Sequence, residues 1–508
     1  MTAIGTGNTV AVVGTGTMGQ GIAQVALVAG HRVRLYDSAP GRADQAAGAL
    51  VRRLDRLVEK GRITAAERDA ARDRLSPATA LAELADAALV IEAILEELSA
   101  KQELFRSLED IVGDDCLLAT NTSSLSVTAV AGGLRRPGRC VGMHFFNPAP
   151  LLPLVEVVSG FATDEAAADA AYDTAAAWGK KPVRCADTPG FIVNRVARPF
   201  YAEALRAYEE RVADPATIDA VLRDGAGFKM GPFELTDLIG QDVNEAVTHS
   251  VWQSFFQDPK FTPSLAQRRL VEAGLHGRKA GRGWYDYSEG AKRPAPHTAA
   301  PCPAPEAVAL HAKLPGPAAV LRELIEEAGI KVTRDRTPAE SEGFLRLPGG
   351  ACLALTNGYP ATSVVYDKYI RFDLSLDYRA ATRIALAASE TCSESDLAEA
   401  VGLFQALGKE VSVIGDVPGM IVARTVAMIV DFAVDAAARG VATPEDIDTA
   451  MRLGVNYPGG PMEWAERLGA HWVWDLLDSM HHQNAQGRYV PSWALRRRAD
   501  LEEQVLSS

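Results

Sequence analysis

A chain of 508 residues, 47% hydrophobic and 23% charged, has the makeup of a globular protein, and at roughly 100–200 residues per domain it holds several domains. Its formal charge of −13 argues against nucleic acid or an anionic membrane surface as main partner, so an anionic ligand needs a local basic patch. Six scattered cysteines without C-x-x-C spacing argue against a disulfide framework or a zinc site; with no apolar run of about 18 residues and no signal-like start before Thr9, the expected location is the cytoplasm.

The pattern opens on a short apolar strand, Thr9–Val13, followed by Gly14-Thr-Gly16-Thr17-Met18-Gly19 and a helical stretch from Met18 to Ala29. Val33–Tyr36 reads as the next strand and ends at Asp37, 18 residues after Gly19. A charged helix is expected over Ala39–Lys60, then a second one opened by Thr64-Ala-Ala-Glu67, a capping box. Leu89–Glu92, Leu117–Thr120, Cys140–Met143 and Leu154–Val158 are further strands, and the alternation predicts a mostly parallel sheet covered by helices. Beyond Thr163 helical patterns dominate, over Asp164–Gly179, Gly190–Arg211 and from Pro215 onward. Five prolines between Pro294 and Pro305 mark residues 291–315 as a linker.

The chain then repeats itself. Asp187-Thr-Pro-Gly-Phe-Ile-Val-Asn-Arg195 returns as Asp416-Val-Pro-Gly-Met-Ile-Val-Ala-Arg424, an offset of 229. The same offset maps Gly179-Lys180 onto Gly408-Lys409 and Gly231-Pro232 onto Gly460-Pro461. In the second copy His144 falls on Asp373, Glu156 on Ala385 and Asn194 on Ala423, and no glycine-rich loop precedes them. The second copy is therefore expected to be structural.

Three segments carry chemistry. In the glycine loop, Gly14 permits a tight turn, Gly16 lets backbone approach a pyrophosphate and Gly19 allows helix to pack on strand. With Asp37 placed to accept from a ribose 2′-hydroxyl and repel a 2′-phosphate, this favours NAD over NADP. His144-Phe-Phe-Asn147-Pro148 supplies an imidazole, and Glu156 a carboxylate that can fix its tautomer and stabilise the imidazolium, the arrangement an alcohol oxidation needs. Asn121-Thr-Ser123-Ser124 follows a strand end, where ligands sit in an open α/β sheet. A buried structural histidine and a polar turn are the bland alternatives.

These residues, with Glu92-Ala-Ile-Leu-Glu96, Gly231-Pro-Phe-Glu-Leu235 and Gly277-Arg-Lys-Ala-Gly-Arg-Gly283, resemble the NAD-dependent 3-hydroxyacyl-CoA dehydrogenases over about residues 8–290. The duplicated form, with Asp224-Gly-Ala-Gly-Phe-Lys-Met-Gly-Pro232, looks most like the bacterial enzymes of phenylacetate breakdown that act on 3-hydroxyadipyl-CoA. The resemblance implies a Rossmann-type α/β domain followed by all-α domains, the helical one duplicated. The expected boundaries are 1–186 for the NAD-binding domain and 187–290 for the helical domain, with a linker at 291–315. A reduced α/β region at 316–410 and a second helical domain at 411–508 complete the chain. It implies oxidation of an (S)-3-hydroxyacyl-CoA, of adipyl or butyryl type, with His144 as base and Glu156 as its partner. Ser123 and Asn194 would bind the 3-oxygen, and Asn147 is a further substrate-binding candidate. Gly14, Gly16, Thr17, Met18, Gly19, Asp37, Glu96, Lys101, Ser123 and Lys279 match cofactor positions, and no metal is implied. Arg52 and Lys60, in the charged segment after Ala39, are candidates for CoA phosphates, against the alternative of a solvated helix face. The family works as dimers, so a homodimer is expected. A dehydrogenase of free β-hydroxyacids and a non-catalytic NAD-binding protein remain the rivals, and the cation that a dicarboxylyl tail requires is not named by the sequence.

Overall fold

Thr9–Val13 is buried along its whole length, so this strand needs cover on both faces. The computed structural model describes residues 3–335, 343–364 and 367–507. They fall into two compact units, residues 1–195 with 439–455 and residues 196–438 with 456–508.

The first unit contains β1 (Thr9–Val13), α1 (Thr17–Val28), β2 (Arg32–Tyr36), α2 (Arg42–Glu59), α3 (Ala65–Asp73), β3 (Leu75–Ala78), β4 (Ala87–Glu92), α4 (Leu98–Glu109), β5 (Leu117–Thr120), α5 (Val127–Ala131), β6 (Cys140–Phe145), β7 (Leu154–Ser159), α6 (Glu165–Ala177), β8 (Lys181–Ala186) and the short α7 (Val193–Val196). Its eight strands order as β3-β2-β1-β4-β5-β6-β7-β8, all neighbours parallel except β6 and β7. Strand alternation sends Val10 and Val12 to one core, with Ile22, Leu50 and Leu54, and Ala11 and Val13 to the other, with Phe105 and Leu108. Each such Leu or Val contributes about 1.5–3 kcal/mol on full burial. The charged stretch after Ala39 is amphipathic: α2 buries Ala43, Ala46, Leu50 and Leu54 and turns its arginines outward. The capping box is present, Thr64 and Glu67 each bonding the other's backbone amide. β1 lies between β2 and β4, so chain direction across the sheet reverses there, and the loop after β1 opens at the switch point where ligands bind.

The second unit holds α8 (Arg198–Glu209), α9 (Pro215–Ala220), α10 (Pro232–Ile239), α11 (Gln241–Ser254), α12 (Leu265–Glu272), β9 (Ala307–His311), α13 (Leu321–Glu327), β10 (Lys331–Arg334), β11 (Phe344–Arg346), β12 (Cys352–Leu355), β13 (Tyr369–Phe372), β14 (Arg383–Ala388), α14 (Glu394–Ala406), β15 (Glu410–Val413) and α15 (Val422–Ala438). α16 (Pro444–Gly454) belongs to the first unit, where it packs on β7 and β8. α17 (Pro461–Leu468), α18 (Ala470–Gln483) and α19 (Trp493–Ser507) return to the second. Seven strands form its sheet in the order β10-β9-β11-β12-β13-β14-β15.

Several expectations need correction. Strand β9 lies inside the stretch read as linker, because the prolines end at Pro305 and Ala307–His311 then pairs with β10 and β11. The helix expected over Gly190–Arg211 is interrupted: Phe191 has φ 51°, and α7 and α8 flank Ala197. Residues 187–195 and α16 lie within the first unit.

The repeat reaches backbone detail. Shifted by 229, β13, β14 and β15 begin where β6, β7 and β8 begin, α14 coincides with α6, and α15 covers α7 and α8 together. Both copies pair their strands antiparallel then parallel. Lys180 Nζ donates to the Leu152 carbonyl at 2.9 Å and Lys409 Nζ to the equivalent Ala381 carbonyl at 2.6 Å. Phe191 and Met420, equivalent positions, share a left-handed φ of 51°. Asp373 accepts from the amides of Ile421 at 3.0 Å, Val422 at 2.8 Å and Ala423 at 3.0 Å. Burial pushes its carboxyl up to about 6 against the opposing pull of these amides.

Replacing Asp373 with Ala strands those buried donors, and at 1–3 kcal/mol for an orphaned buried group the loss should reach about 3 kcal/mol. Asp373→Asn, which keeps one acceptor oxygen, should lose less. Urea midpoints of the variants give the comparison, and an unshifted midpoint for the alanine variant would refute a structural role.

Candidate active site

The antiparallel register of β6 and β7 sets His144 directly opposite Glu156. His144 Nδ1 lies 2.6 Å from Glu156 Oε2, and the side chains are 7% and 0% exposed. The other carboxylate oxygen accepts from the amides of Ile192 at 3.0 Å and Val193 at 2.9 Å. Those amides are aimed by a turn in which Gly190 at φ 77° and Phe191 at φ 51° are both left-handed. For Phe191 this conformation is a local cost, met by the two hydrogen bonds that it makes possible. Phe146 and Phe191 flank the imidazole, with ring centroids 4.5 and 5.7 Å away. A carboxylate on Nδ1 keeps the proton of the neutral ring there and leaves Nε2 as the nitrogen that can take another.

Beside this pair, Asn121 Oδ1 accepts from the Phe145 amide at 2.9 Å, tying the loop after β5 to the end of β6. Glu96 organises the same loop, accepting from Thr122 Oγ1 at 2.6 Å, the Ser123 amide at 2.9 Å and the Ser124 amide at 3.0 Å. Burial raises its carboxyl, but Lys101 and these donors together bring it below the usual glutamate value. Asn194 Nδ2 stands 3.5 Å from the Ser123 carbonyl. Ser123 and Asn194 are therefore brought together by the first unit. Lys101 is not an outward-pointing cation: its side chain is 1% exposed and Nζ sits 2.5 Å from Glu92 and 3.2 Å from Glu96.

Glu92 is the residue that sequence reasoning passed over as a functional element. It is fully buried and binds Lys101, Thr120 Oγ1 at 2.6 Å and the Ile94 amide at 2.7 Å. A charged residue ending the otherwise apolar strand Ala87–Glu92 was the available signal. Asp187 was missed in the same way; it accepts from Ser126 Oγ at 2.7 Å and the Thr128 amide at 2.8 Å, fixing the start of α5.

The glycine loop fits a dinucleotide. A Cβ on Gly14 would come 2.5 Å from the Ala93 carbonyl, and one on Gly19 would come 1.8 Å from the Gly14 carbonyl. A Cβ on Gly16 meets nothing within 4 Å, so this position is kept bare by something other than the protein's own packing. Thr17 begins α1 and is exposed, while Met18 packs on the core of the unit. Asp37 accepts from Thr15 Oγ1 at 2.6 Å, the Thr15 amide at 2.9 Å and the Ala39 amide at 3.1 Å. Burial raises the Asp37 carboxyl, and these bonds, with Arg42 nearby, leave it below the usual value. A cavity of about 700 Å³ adjoins the loop, lined among others by Gly16, Asp37, Arg42, Leu95 and Leu104.

The remaining candidates are Arg52, Lys60, Asn147 and Lys279. Arg52 and Lys60 are exposed on and after α2 and make no ion pair among the described residues; Asp55 of the same helix pairs with Arg68. Asn147 is exposed. Lys279 belongs to the second unit and is held at 2.6 Å by Asp242. Among the described residues there is no cluster of three or more His, Cys, Asp or Glu fit to hold a metal, and no helix is long and apolar enough to cross a membrane.

Comparison with known proteins places this geometry. The model for the NAD binding domain of 3-hydroxyacyl-CoA dehydrogenase matches residues 9–188, and that for its C-terminal domain matches 190–287 and again 419–504. A model of a 3-hydroxybutyryl-CoA dehydrogenase reduced Rossmann-fold domain matches 353–418. The chain is 45% identical over 499 residues to a 3-hydroxyadipyl-CoA dehydrogenase of Escherichia coli K12, covering 97% of this chain and 98% of that one. A crystal structure of 3-hydroxybutyryl-CoA dehydrogenase from Escherichia coli K12 superposes with TM-score 0.88 at 43% identity, covering 98% and 99% of the two chains. The (S)-3-hydroxybutyryl-CoA dehydrogenase of Ralstonia eutropha matches 56% of this chain and 99% of its own, with TM-score 0.54 and 37% identity.

The bare face of Gly16 yields a prediction. Gly16→Ala should fold with an unchanged thermal midpoint yet bind NADH about tenfold or more weakly, a loss of ~1.4 kcal/mol, whereas Gly19→Ala should lower the midpoint itself. Calorimetric titration and thermal melting separate the two, and normal NADH affinity in Gly16→Ala would remove the loop from the cofactor site.

Proposed function

This chain belongs to the 3-hydroxyacyl-CoA dehydrogenase family, and on that premise we propose that it oxidises an (S)-3-hydroxyacyl-CoA, foremost 3-hydroxyadipyl-CoA with 3-hydroxybutyryl-CoA as the alternative, to the 3-oxoacyl-CoA through the His144–Glu156 pair. The observation that carries the reading is the 2.6 Å contact of His144 Nδ1 with a fully buried carboxylate that is itself locked by two backbone amides. The adipyl preference is supported by the name of the relative in Escherichia coli that matches over nearly the full length of both chains.

Gly14, Gly16, Gly19 and Asp37 would hold NAD, which would supply the hydride acceptor. Ser123 and Asn194 hold the C3 oxygen of the substrate. His144 takes the hydroxyl proton on Nε2 as the carbonyl forms. The charge that then develops on the ring faces Glu156 in a water-poor site, where an ionised partner counts for far more than in solvent. Glu96 keeps Ser123 in place, and Lys101, bound to Glu92, keeps Glu96 in place. The exposed cations Arg52 and Lys60 suit CoA phosphates. Six free cysteines fit work in the cytoplasm, and we take the enzyme to act there as a homodimer, without nucleic acid or membrane as partner.

His144→Gln should lower kcat about 10²–10⁴-fold while NADH still binds. Glu156→Gln retains an acceptor for the Ile192 and Val193 amides, so it should fold normally and lose kcat for want of the negative charge. NADH oxidation with acetoacetyl-CoA and 3-oxoadipyl-CoA measures both. Near-normal turnover in His144→Gln would discard the base, and turnover of free 3-oxoacids in place of the CoA thioesters would discard the substrate class.

A further inference from the structure

The sheet of the second unit is covered unequally. Alternation along its strands sends Leu345, Leu353, Leu355, Ile370 and Phe372 to one face, where they join α13 and α14 in a large core. On the other face, β11, β12 and β13 bury a smaller cluster built on Phe344, Cys352, Ala354 and Tyr369. Register sets Phe344 opposite His311 of β9, Cys352 between Arg346 and Tyr369, and Ala354 opposite Arg371. The side chains of β12 on this face are thus shorter than those on either side, and the face is hollowed rather than filled. The hollow is a cavity of about 810 Å³, lined among others by His311, Phe344, Arg346, Cys352, Tyr369 and Arg371. Small-molecule sites occupy roughly 300–1,000 Å³, so this one is large enough for a metabolite.

Its polar groups are built in rather than solvated. His311 is 2% exposed, and neither ring nitrogen has a hydrogen-bond partner among the described residues. Burying an imidazole with both nitrogens unbonded is unfavourable unless a ligand completes them. The ring is stacked on Phe344, with centroids 4.5 Å apart and planes 12° from parallel, so its orientation is fixed. Arg371, also 2% exposed, stands 4.7 Å over the Tyr369 ring and donates to the Leu355 carbonyl at 3.0 Å. Arg346 stands 5.0 Å over Phe344 and is paired with Asp335 at 2.6 Å. Asp367 lines the cavity too, but it is exposed, where water screens its charge. Burial raises the Cys352 thiol against the pull of Arg346, so this wall of the cavity is not a thiolate.

We propose that this cavity is a binding site for an elongated organic anion of about nucleotide size. Arg371 keeps its charge even when buried and receives the phosphate or carboxylate of the ligand. His311, whose ring has both donor and acceptor capacity, bonds a polar group of the ligand's body. Cys352 lies on the strand between Arg346 and Tyr369 and gives an apolar floor. β9 and β13 are separated by β11 and β12, three strand spacings or roughly 14 Å. His311 and Arg371 therefore suit opposite ends of one extended molecule rather than a single small ion. The assignment uses none of the residues placed in the dehydrogenase chemistry and stands independently of it.

The test is calorimetric titration of the full-length protein with AMP and with hippurate, in saturating NADH so that AMP cannot enter the dinucleotide loop. At least one of them should bind with a dissociation constant of about 1 mM or tighter. Tighter AMP identifies a phosphate as the anion, and tighter hippurate a carboxylate. Arg371→Met and His311→Phe should each weaken that binding about tenfold while the protein stays folded by its melting midpoint. Binding of neither compound, or unchanged affinity in either folded variant, overturns the assignment. Should Arg371→Met fail to fold, the affinity of His311→Phe decides, because the imidazole gives up no hydrogen bond within the described residues when it is replaced.

Discussion

One carboxylate holds the catalytic half of this molecule together. Glu156 gives one oxygen to the His144 ring and the other to the amides of Ile192 and Val193. The first bond sets the tautomer of the base; the second fixes the turn from which Asn194 is presented. Both demands fall on a residue that is fully buried, so neither can be met by water if the side chain is shortened. The His144 ring and the turn that carries Asn194 therefore cannot drift independently. A misplacement of about 1 Å in either is enough to cost a large factor in rate, and the shared carboxylate removes one degree of freedom between them.

The second copy separates the structural half of that task from the chemical half. Its turn has the same left-handed pair, Gly419 at φ 71° and Met420 at φ 51°, and its amides need an acceptor just as much. Ala385 at the position of Glu156 cannot supply one. Asp373, at the position of His144, does so from the neighbouring strand and takes a third amide, that of Ala423. The backbone demand is inherited with the fold, whereas the imidazole is not. With Asp373 spending its oxygens on amides, and Ala423 where Asn194 would be, the copy lacks an imidazole and a side-chain amide at the equivalent positions.

Much of this could be read from the chain. The strand, glycine loop and acid of the cofactor segment depend on local chemistry; His144 follows the apolar run Cys140–Met143, Glu156 interrupts the run Leu154–Val158, and antiparallel pairing brings them level. The repeat was visible because its offset has no gap from Leu154 to the last helix, so it carried down to single hydrogen bonds of Lys180 and Lys409. What escaped depends on partners remote in sequence. Five closely spaced prolines disguised the approach to β9, whose pairing strands lie some 20 residues and more downstream. Lys101 reads as a surface charge until the fold closes Glu92 and Glu96 over it.

The two uses of buried charge in the chain follow one physical rule with opposite outcomes. Glu92 with Lys101, Glu203 with Arg488 and Asp431 with Lys260 are closed pairs; each charge already has its complement, so none has capacity left for a ligand. Such pairs stabilise a single arrangement and are costly to break from one side only. An open charge does the reverse: it lowers the stability of the empty protein and returns that free energy when its complement binds. The His144–Glu156 pair lies between these cases. It is closed at Nδ1 and open at Nε2, so that the charge it must accommodate appears only while the substrate proton is on the ring. On the proposed mechanism, that asymmetry sets this buried contact apart from the closed ion pairs and fits it for proton transfer.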